Sequence, residues 1–236
     1  MIENSNELLK DNSQRAKITE RVFIFLGITT VFAVVSNVME HNLLQDLKGG
    51  LMYDDSQLEM SDLRQGIIGL VQTGLTITSV VVFLGWFRRA YGNLHRSGIR
   101  NITYSETMTN WSFVIPFINL YRPYQIMKEL LQEMKRVVIT VVPSYRLQIS
   151  SGIIGMWWTV YIIRGILGQI AFRSSLRAET VFELSNSSMA FIISDTFDII
   201  AIIVTILMVK QVSKEEEMFA ESLKVAKIKI EESVEN

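Results

Sequence analysis

The most regular feature of the sequence is a series of four apolar segments separated by polar connections. They lie at about residues 22–40, 66–87, 152–172 and 189–209. A helix of about 20 residues crosses a hydrocarbon core of roughly 30 Å. No alternating pattern typical of a β-barrel is present, and helices satisfy their own backbone groups in lipid. The pattern therefore predicts an all-α integral membrane bundle of four transmembrane helices.

The long connection at residues 88–149 is itself partly apolar. Within it, residues 111–121 are too short to cross a bilayer and contain Pro116, which favours an interfacial or shallow re-entrant segment. A helical stripe follows and is formed by Ile126, Met127, Leu130, Leu131, Met134, Val137, Val138 and Val141. Such a helix can lie on a membrane or pack against a partner helix. We therefore predict a cytoplasmic interfacial or re-entrant helical layer.

These elements divide the chain into three parts. Residues 1–21 form a cytoplasmic N-terminal segment, residues 22–210 a four-span membrane domain that includes the interfacial segment, and residues 211–236 a cytoplasmic helix. In the last part, apolar residues recur at helical spacing amid charge. These residues are Phe219, Leu223, Ala226 and Ile230.

The distribution of basic residues predicts the orientation. The connection at 39–65 carries two basic residues, Lys48 and Arg64, against six acidic ones, whereas the connection at 88–149 carries nine basic residues. Lysine and arginine concentrate on the cytoplasmic side of membrane proteins. Both termini and the middle connection are therefore expected in the cytoplasm.

Three ionisable residues lie inside the apolar segments: Arg164 in the third, and Asp195 and Asp198 in the fourth. Each costs roughly 2.5–3.5 kcal/mol at a helix centre, so each should face inward and be partnered. Antiparallel neighbouring helices would bring the three residues level. One arginine for two carboxylates leaves one aspartate to be protonated or to bind a cation. We favour an ion-pair clamp that fixes helix register, with a proton, ion or ligand pathway as the alternative.

Two compact blocks in the middle connection, WFRRAYGNL and IPFINLYRPY, carry a resemblance to a known family. With them the chain resembles the bacterial membrane family called domain of unknown function 4328. The residues that match its pattern are Trp86, Arg89, Tyr91, Asn93, Leu94, Trp111, Ile115, Pro116, Asn119, Leu120, Arg122, Pro123 and Tyr124. The resemblance implies a multi-span bacterial membrane protein and no particular activity.

The same blocks have a physical interpretation. Their arginines and aromatic residues suit contact with anionic headgroups at the cytoplasmic face of the bilayer. Pro116 should break the apolar segment, Asn119 should satisfy the backbone groups that the break frees, and Pro123 should start the next helix. Arg122 is expected to contact phosphate or a helix C-terminus. We interpret the block as a re-entrant corner docked under the bundle.

No catalytic constellation is visible in the sequence. Cysteine is absent, the two histidines His41 and His95 are far apart, and no phosphate-binding loop or nucleophile motif occurs. Glu215 to Glu217 are interpreted as a solvated helix face rather than metal ligands. Catalytic residues, metal ligands, cofactors and nucleic-acid partners are therefore not expected.

Three hypotheses of function follow. The first is a non-enzymatic bundle that assembles with itself or with a membrane partner and acts as a scaffold, sensor or effector. The second is a small ion channel or transporter that uses Arg164, Asp195 and Asp198. The third is an enzyme acting on lipid, for which no catalytic set is visible. We favour the first.

Overall fold

The computed structural model describes residues 9–146 and 151–235, and these residues are helical with no strand among them. The helices are α1 (Ser13–Lys48), α2 (Asp55–Arg96), α3 (Met108–Val114), α4 (Arg122–Val141), α5 (Ser151–Leu176) and α6 (Val181–Glu235), with a short 3-10 helix (Ile118–Leu120) between α3 and α4. Four of them, α1, α2, α5 and α6, are long and apolar enough to cross a membrane, judged by length and composition. The predicted all-α class is confirmed for the described residues.

Local sequence signals explain where two of the long helices begin. Before α6, Glu183 Oε2 accepts from the Thr180 backbone N–H at 3.0 Å, and the Glu183 N–H donates to Thr180 Oγ1 at 3.3 Å. Before α2, Gln57 Oε1 likewise accepts from the Asp54 backbone N–H at 3.2 Å. Both are capping arrangements that satisfy backbone donors at a helix start. The backbone N–H groups of Glu179 and Thr180, which both donate to the Glu183 carboxyl group, lower the pKa of Glu183.

Helix α6 runs without a break from Val181 to Glu235. The apolar segment at 189–209 and the predicted C-terminal helix at 211–236 are therefore parts of one helix. Helix α2 likewise extends on both sides of the apolar segment at 66–87. Only about 20 residues of such a helix are needed to cross a bilayer, so both helices continue well beyond the apolar segments.

The chain forms two compact units, which we describe separately. Unit 1 comprises the described parts of Met1–Glu20, Val81–Met156 and Leu207–Asn236. Unit 2 comprises Arg21–Val80 and Trp157–Ile206.

The core of unit 1 is built from the end of α2, the apolar face of α4 and the later part of α6. From α2, Trp86, Phe87 and Tyr91 are fully buried. The rings of Phe83 and Phe87 both meet Phe113 edge-on, with centroids 6.0 and 6.2 Å apart. Edge-to-face aromatic pairs add to the stabilisation that burial of their area provides. This cluster joins α2 to α3.

Helix α4 contributes the apolar stripe that the sequence predicts. Its buried residues are Pro123, Ile126, Met127, Leu130, Leu131, Met134, Val137 and Val138. Because these side chains are inside unit 1, the apolar face of α4 packs against protein. Of the two alternatives for this helix, the structure therefore supports packing against partner helices over lying on a membrane through that face.

Unit 2 has the opposite distribution of polarity. Large apolar side chains point outward on all four of its helices, including Phe25, Phe32, Leu70, Ile166, Ile193 and Ile203. Its buried residues include many polar ones, among them Thr30, Ser36, Ser61, Ser185, Ser188, Ser194 and Asp195. Exposed apolar surface and buried polar groups are the two informative departures from an ordinary globular protein.

The packing of α4 generates a stability prediction. Leu130→Ala should lower the free energy of unfolding by about 2–5 kcal/mol, because it removes a fully buried side chain and leaves a cavity. The matched control is Gln132→Ala on the exposed face of the same helix, which should change stability by less than about 0.5 kcal/mol. Thermal unfolding of the purified variants measures both. Equal effects would contradict the inward orientation of the stripe.

Candidate functional site

An ion pair joins α5 to α6 inside unit 2. Arg164 Nε donates to Asp198 Oδ1 at 2.8 Å, and both side chains are largely buried. The two residues lie at the same level on neighbouring helices, which is the geometry that their depths in the sequence predict. Each charge is thereby compensated where water is scarce.

Asp195 has different partners, although it lies three residues before Asp198 on the same helix. Its Oδ2 accepts from Asn37 Nδ2 of α1 at 2.8 Å, and its Oδ1 accepts from Gln72 Nε2 of α2 at 3.0 Å. The three ionisable residues therefore divide into an ion pair and an amide-bound carboxyl group. Sequence reasoning missed Asn37 and Gln72, although an amide inside an apolar segment is the signal that could have found them.

A second set of polar contacts joins α1 to α2 in unit 2. Glu40 accepts a short hydrogen bond from Ser61 Oγ and forms an ion pair with Arg64, whose Nη2 is 3.7 Å from the Glu40 Oε2. Arg64 Nε also donates to Ser36 Oγ at 3.0 Å. Arg64, one of the two basic residues of the acidic 39–65 connection, thus links α1 to α2.

Helix α1 is joined to the start of α6 by a further polar group. His41 Nδ1 lies 2.9 Å from Ser188 Oγ and 3.1 Å from the Ser185 carbonyl oxygen, and Gln45 Nε2 donates to Ser185 Oγ at 3.1 Å. Polar contacts therefore recur along the inner faces of the helices of unit 2. All of them join residues that are distant in sequence.

The first family block is inside unit 1 rather than at its surface. We expected Trp86 and Tyr91 to be interfacial, but both side chains are 0 % exposed. That prediction is wrong for these two residues, because they pack in the core where α2 and α4 meet. The arginines close to them in sequence suggested an exposed surface, but the helix face that carries Trp86 and Tyr91 is buried.

The polar residues of this block bind the N-terminal segment. Asn93 Oδ1 accepts from the Lys10 backbone N–H at 3.1 Å, and Asn93 Nδ2 donates to the Lys10 carbonyl oxygen at 2.9 Å. Arg89 Nη1 donates to the Asp11 carbonyl oxygen at 3.2 Å. Asn93 and Arg89 therefore hold the chain just before α1, and their contact with headgroups stays a prediction.

Tyr91 connects α2 to α4 and to the loop between α2 and α3. Its hydroxyl donates to Glu129 Oε2 at 2.6 Å and accepts from the Tyr104 backbone N–H at 3.1 Å, while Glu129 Oε1 accepts from the Thr103 N–H at 2.8 Å. Burial, together with the bond to Glu129, raises the pKa of Tyr91. The family tyrosine is thus a neutral donor to a carboxylate.

The second family block forms a sharp corner between α3 and α4. Helix α3 ends at Val114, and Ile115 is extended, as expected for a residue before proline. Pro123 lies in the first turn of α4. The predicted helix break at Pro116 and helix start at Pro123 are both confirmed. Between them Phe117 adopts a positive φ of 65° and its side chain is 82 % exposed.

Asn119 differs from expectation, whereas the expected phosphate contact of Arg122 stays a prediction. Asn119 contributes its backbone N–H, which donates to the Ile115 carbonyl oxygen at 3.0 Å, and no hydrogen bond links its side chain to a described residue. The guanidinium of Arg122 lies over the rings of Tyr104 and Tyr121, with its Cζ at 5.0 and 5.3 Å from their centroids. Stacking on aromatic faces is a common use of arginine. Tyr124 follows Pro123 in the first turn of α4 and is half-buried.

The interpretation of Glu215 to Glu217 as a solvated face is wrong for two of the three residues. Glu215 is 1 % exposed and accepts from the Tyr145 hydroxyl at 2.6 Å. Both carboxyl oxygens of Glu216 accept from Asn12 Nδ2 at 3.0 Å. Burial raises the pKa of Glu216 to about 8. Only Glu217 is exposed.

Comparison with protein families matches residues 50–214 to the family described as Domain of unknown function (DUF4328). The matched part is more than half of the chain. The chain belongs to the DUF4328 family. Searches of curated proteins and of solved structures found no match.

The DUF4328 match contains most but not all of the site. It includes both family blocks, Arg164 and the two aspartates, whereas Asn37 and Glu216 lie outside it. In this DUF4328 protein, the family region has partners outside it: Asn37 of α1 donates to Asp195, and Glu215 of α6 accepts from Tyr145.

The ion pair of unit 2 generates a prediction for this DUF4328 protein. Asp198→Asn should lower the free energy of unfolding by about 3–5 kcal/mol, because it leaves the buried Arg164 without its counter-charge. Asp195→Asn should cost less, since the Asn oxygen can still accept from one of the two amides and no buried charge loses its counter-charge. Thermal unfolding of the purified chain measures the two effects.

The control is the exchanged pair Arg164→Asp with Asp198→Arg in one chain. It should recover part of the loss, because the interaction is restored with reversed charges. A destabilisation by Asp195→Asn that equals or exceeds that of Asp198→Asn would contradict the division into two sets of partners.

Proposed function

We propose that this DUF4328 protein is an integral protein of a bacterial plasma membrane, with four spans and both termini in the cytoplasm. In this proposal it is a non-enzymatic helical bundle that acts as a scaffold, sensor or effector. Its partners are the bilayer with its anionic headgroups and either a second copy or another membrane protein.

The observation that carries the proposal is the distribution of polarity in unit 2. Apolar side chains face outward on α1, α2, α5 and α6, while the ionisable side chains of the apolar segments face inward. In lipid the outward side chains need no protein partner, whereas an unpartnered charge is costly. The same surface in water would be a large aggregation-prone patch.

The contacts of the inward charges support a structural role over a catalytic one. Arg164 is neutralised by Asp198, and Asp195 is bound by two amides. Contacts of this kind fix the register and rotation of helices against one another. A bundle with a fixed arrangement is suited to presenting a surface or transmitting a change of packing.

The corner between α3 and α4 supports contact with the bilayer interface. Its outward side chains are apolar or aromatic: Trp111, Val114, Phe117, Leu120 and Tyr121. Tryptophan and tyrosine concentrate at membrane interfaces. We propose that this corner, and not the buried Trp86 and Tyr91, is the aromatic contact with lipid.

Cysteine labelling tests the membrane arrangement, and the chain offers a clean background because it has no cysteine of its own. In intact cells, an impermeant maleimide should label Met52→Cys, in the exposed connection after α1, and should not label Thr107→Cys, in the exposed connection before α3. After permeabilisation both should react. The opposite pattern would overturn the orientation.

The same series examines the corner. In permeabilised cells Phe117→Cys should react far more slowly than Thr107→Cys, because lipid would shield it from an aqueous reagent. Equal rates at the two positions would rule out burial of the corner in the bilayer.

A second candidate function, a small ion channel or transporter, is favoured by Asp195. The residue is 6 % exposed, and its carboxyl group is bound by neutral amides rather than by a cation. Intramembrane carboxyl groups of this kind can serve as proton or cation sites. A cavity of about 20 Å³ beside Arg164, lined also by Tyr161 and Thr205, has room for about one water molecule.

Flux measurements separate the two candidate functions. If Asp195 belongs to a pathway, vesicles containing the purified chain should pass protons or monovalent cations, and Asp195→Asn should abolish at least about nine-tenths of that flux because it removes the ionisable group. Asn37→Ala is the matched control, since it removes one amide partner and keeps the carboxyl group. Vesicles with no flux above protein-free ones would eliminate this candidate.

A further inference from the structure

Unit 1 contains a cavity that none of the preceding roles uses. Its volume is about 400 Å³, within the range of small-molecule sites. The N-terminal segment forms one wall, α6 forms another, and Asn93 of α2 completes it. Most of the surface that lines the cavity is apolar, and Leu9, Phe219, Ala220 and Leu223 contribute to it.

One carboxyl group lies in this lining. Glu216 accepts from Asn12 Nδ2 through both oxygens at 3.0 Å, and Asn12 Nδ2 also donates to the Trp86 carbonyl oxygen at 3.2 Å. The buried indole N–H of Trp86 is close to the carboxyl group, although it does not reach hydrogen-bonding geometry. One amide nitrogen, with two hydrogens, is thus shared among three acceptor oxygens. The two oxygens of the Glu216 carboxylate can therefore accept further hydrogen bonds.

Two further acceptors in the lining have no hydrogen-bond partner among the described residues. They are Asn12 Oδ1, on a side chain that is only 6 % exposed, and Ser213 Oγ. Buried polar atoms are nearly always hydrogen-bonded, so each exception calls for an explanation. Asn12 Oδ1 and the Glu216 carboxylate oxygens can only accept, whereas Ser213 Oγ can also donate, so a donor-rich ligand would complete the hydrogen bonds of the acceptor-only oxygens.

The chemistry of the walls narrows the class of ligand. An ammonium group has three donors and no acceptor, which matches a carboxylate beside an amide carbonyl. The lining contains two basic residues, Lys10 and Lys224, and three acidic ones, Asp11, Glu216 and Glu217. The charge of the lining therefore does not favour binding of an anion. The apolar lining requires that the ligand also carry a hydrocarbon part.

We propose that this cavity binds a small amphiphilic amine. Its hydrocarbon part lies against Phe219 and Leu223, and its ammonium group donates to the Glu216 carboxylate and to Asn12 Oδ1. The biological use of this site rests on the proposed sensing role, for which it would supply the ligand. Binding of the amine itself does not depend on that role.

Binding should depend on pH in a defined direction. The pKa of Glu216 is raised to about 8, chiefly by burial and to a smaller extent by the charges of Asp11 and Glu217, while Asn12 and the Trp86 indole act in the opposite direction. Below that pH the carboxyl group must lose its proton before it can bind an ammonium ion. Affinity should therefore rise by about tenfold per pH unit from pH 6 to near pH 8 and then level off.

The test is calorimetric titration of n-hexylamine into the full chain in lipid nanodiscs, with n-hexanol and hexanoate as probes of equal length. The amine should bind at least about tenfold more tightly than either. Glu216→Gln should weaken amine binding by about ten- to a hundredfold and remove the pH dependence. Because its side chain can keep the Asn12 bond without a charge, this variant should fold.

Two further variants complete the design. Glu217→Gln changes the neighbouring, exposed carboxylate and should bind the amine within about threefold of the unmodified chain, since that carboxylate is screened by water. Ala220→Phe fills the cavity while leaving Glu216 in place and should abolish binding. Equal affinity for amine and alcohol, or unchanged binding in Glu216→Gln, would overturn the proposal whatever the outcome of cysteine labelling.

The lipid composition of the nanodisc distinguishes two sources of the amine, a lipid headgroup and a free small molecule. If the headgroup of phosphatidylethanolamine occupies the site, discs that contain this lipid should weaken hexylamine binding relative to discs of phosphatidylglycerol alone. Equal binding in the two kinds of disc assigns the site to a free amine.

Discussion

An ionisable side chain among apolar helices must find its partners inside the protein, and this requirement organises unit 2. A charge at the centre of an apolar span costs roughly 2.5–3.5 kcal/mol when it is left to itself. Arg164 and Asp198 meet the requirement by pairing, and Asp195 meets it through Asn37 and Gln72. Through these contacts α6 is tied to α1, α2 and α5. The inward polar residues thus determine which face each helix turns inward.

The same requirement is met in unit 1 by neutral donors. Tyr91 donates to Glu129, Tyr145 donates to Glu215, and Asn12 donates to Glu216. A buried carboxylate gains from a hydrogen bond without the desolvation cost of a second charge. Each donor comes from an element distant in sequence. These bonds therefore tie the N-terminal segment and the connections to α4 and α6.

Much of the helical architecture could be predicted because its causes are local. Proline fixes φ and lacks a donor, so the break at Pro116 and the start at Pro123 follow from the residues themselves. The stripe of α4 follows from the helical period. The sequence also predicted that Arg164 and Asp198 lie at the same level. A helix has a fixed rise per residue, so the distance of each residue from the end of its apolar segment gives its depth.

The burial of Trp86, Tyr91, Glu215 and Glu216 could not be predicted in this way. Aromatic and basic residues close to an apolar segment have the same composition whether they face lipid headgroups or a second layer of helices. Which face is covered depends on how α4 and α6 pack in unit 1, and that packing involves residues far apart in sequence. The same holds for Asn37 and Gln72, whose role exists only where they meet Asp195.

The sequence by itself determined the number of apolar helices and the position of their apolar segments, the corner between α3 and α4, and the resemblance to the DUF4328 family. These features arise from period, proline geometry and short motifs, all of which act within a few turns of chain. Only the tertiary structure decided which side chains are buried and which carboxyl groups are left among apolar walls. Burial and hydrogen bonding between distant residues depend on packing, and packing is a property of the whole fold.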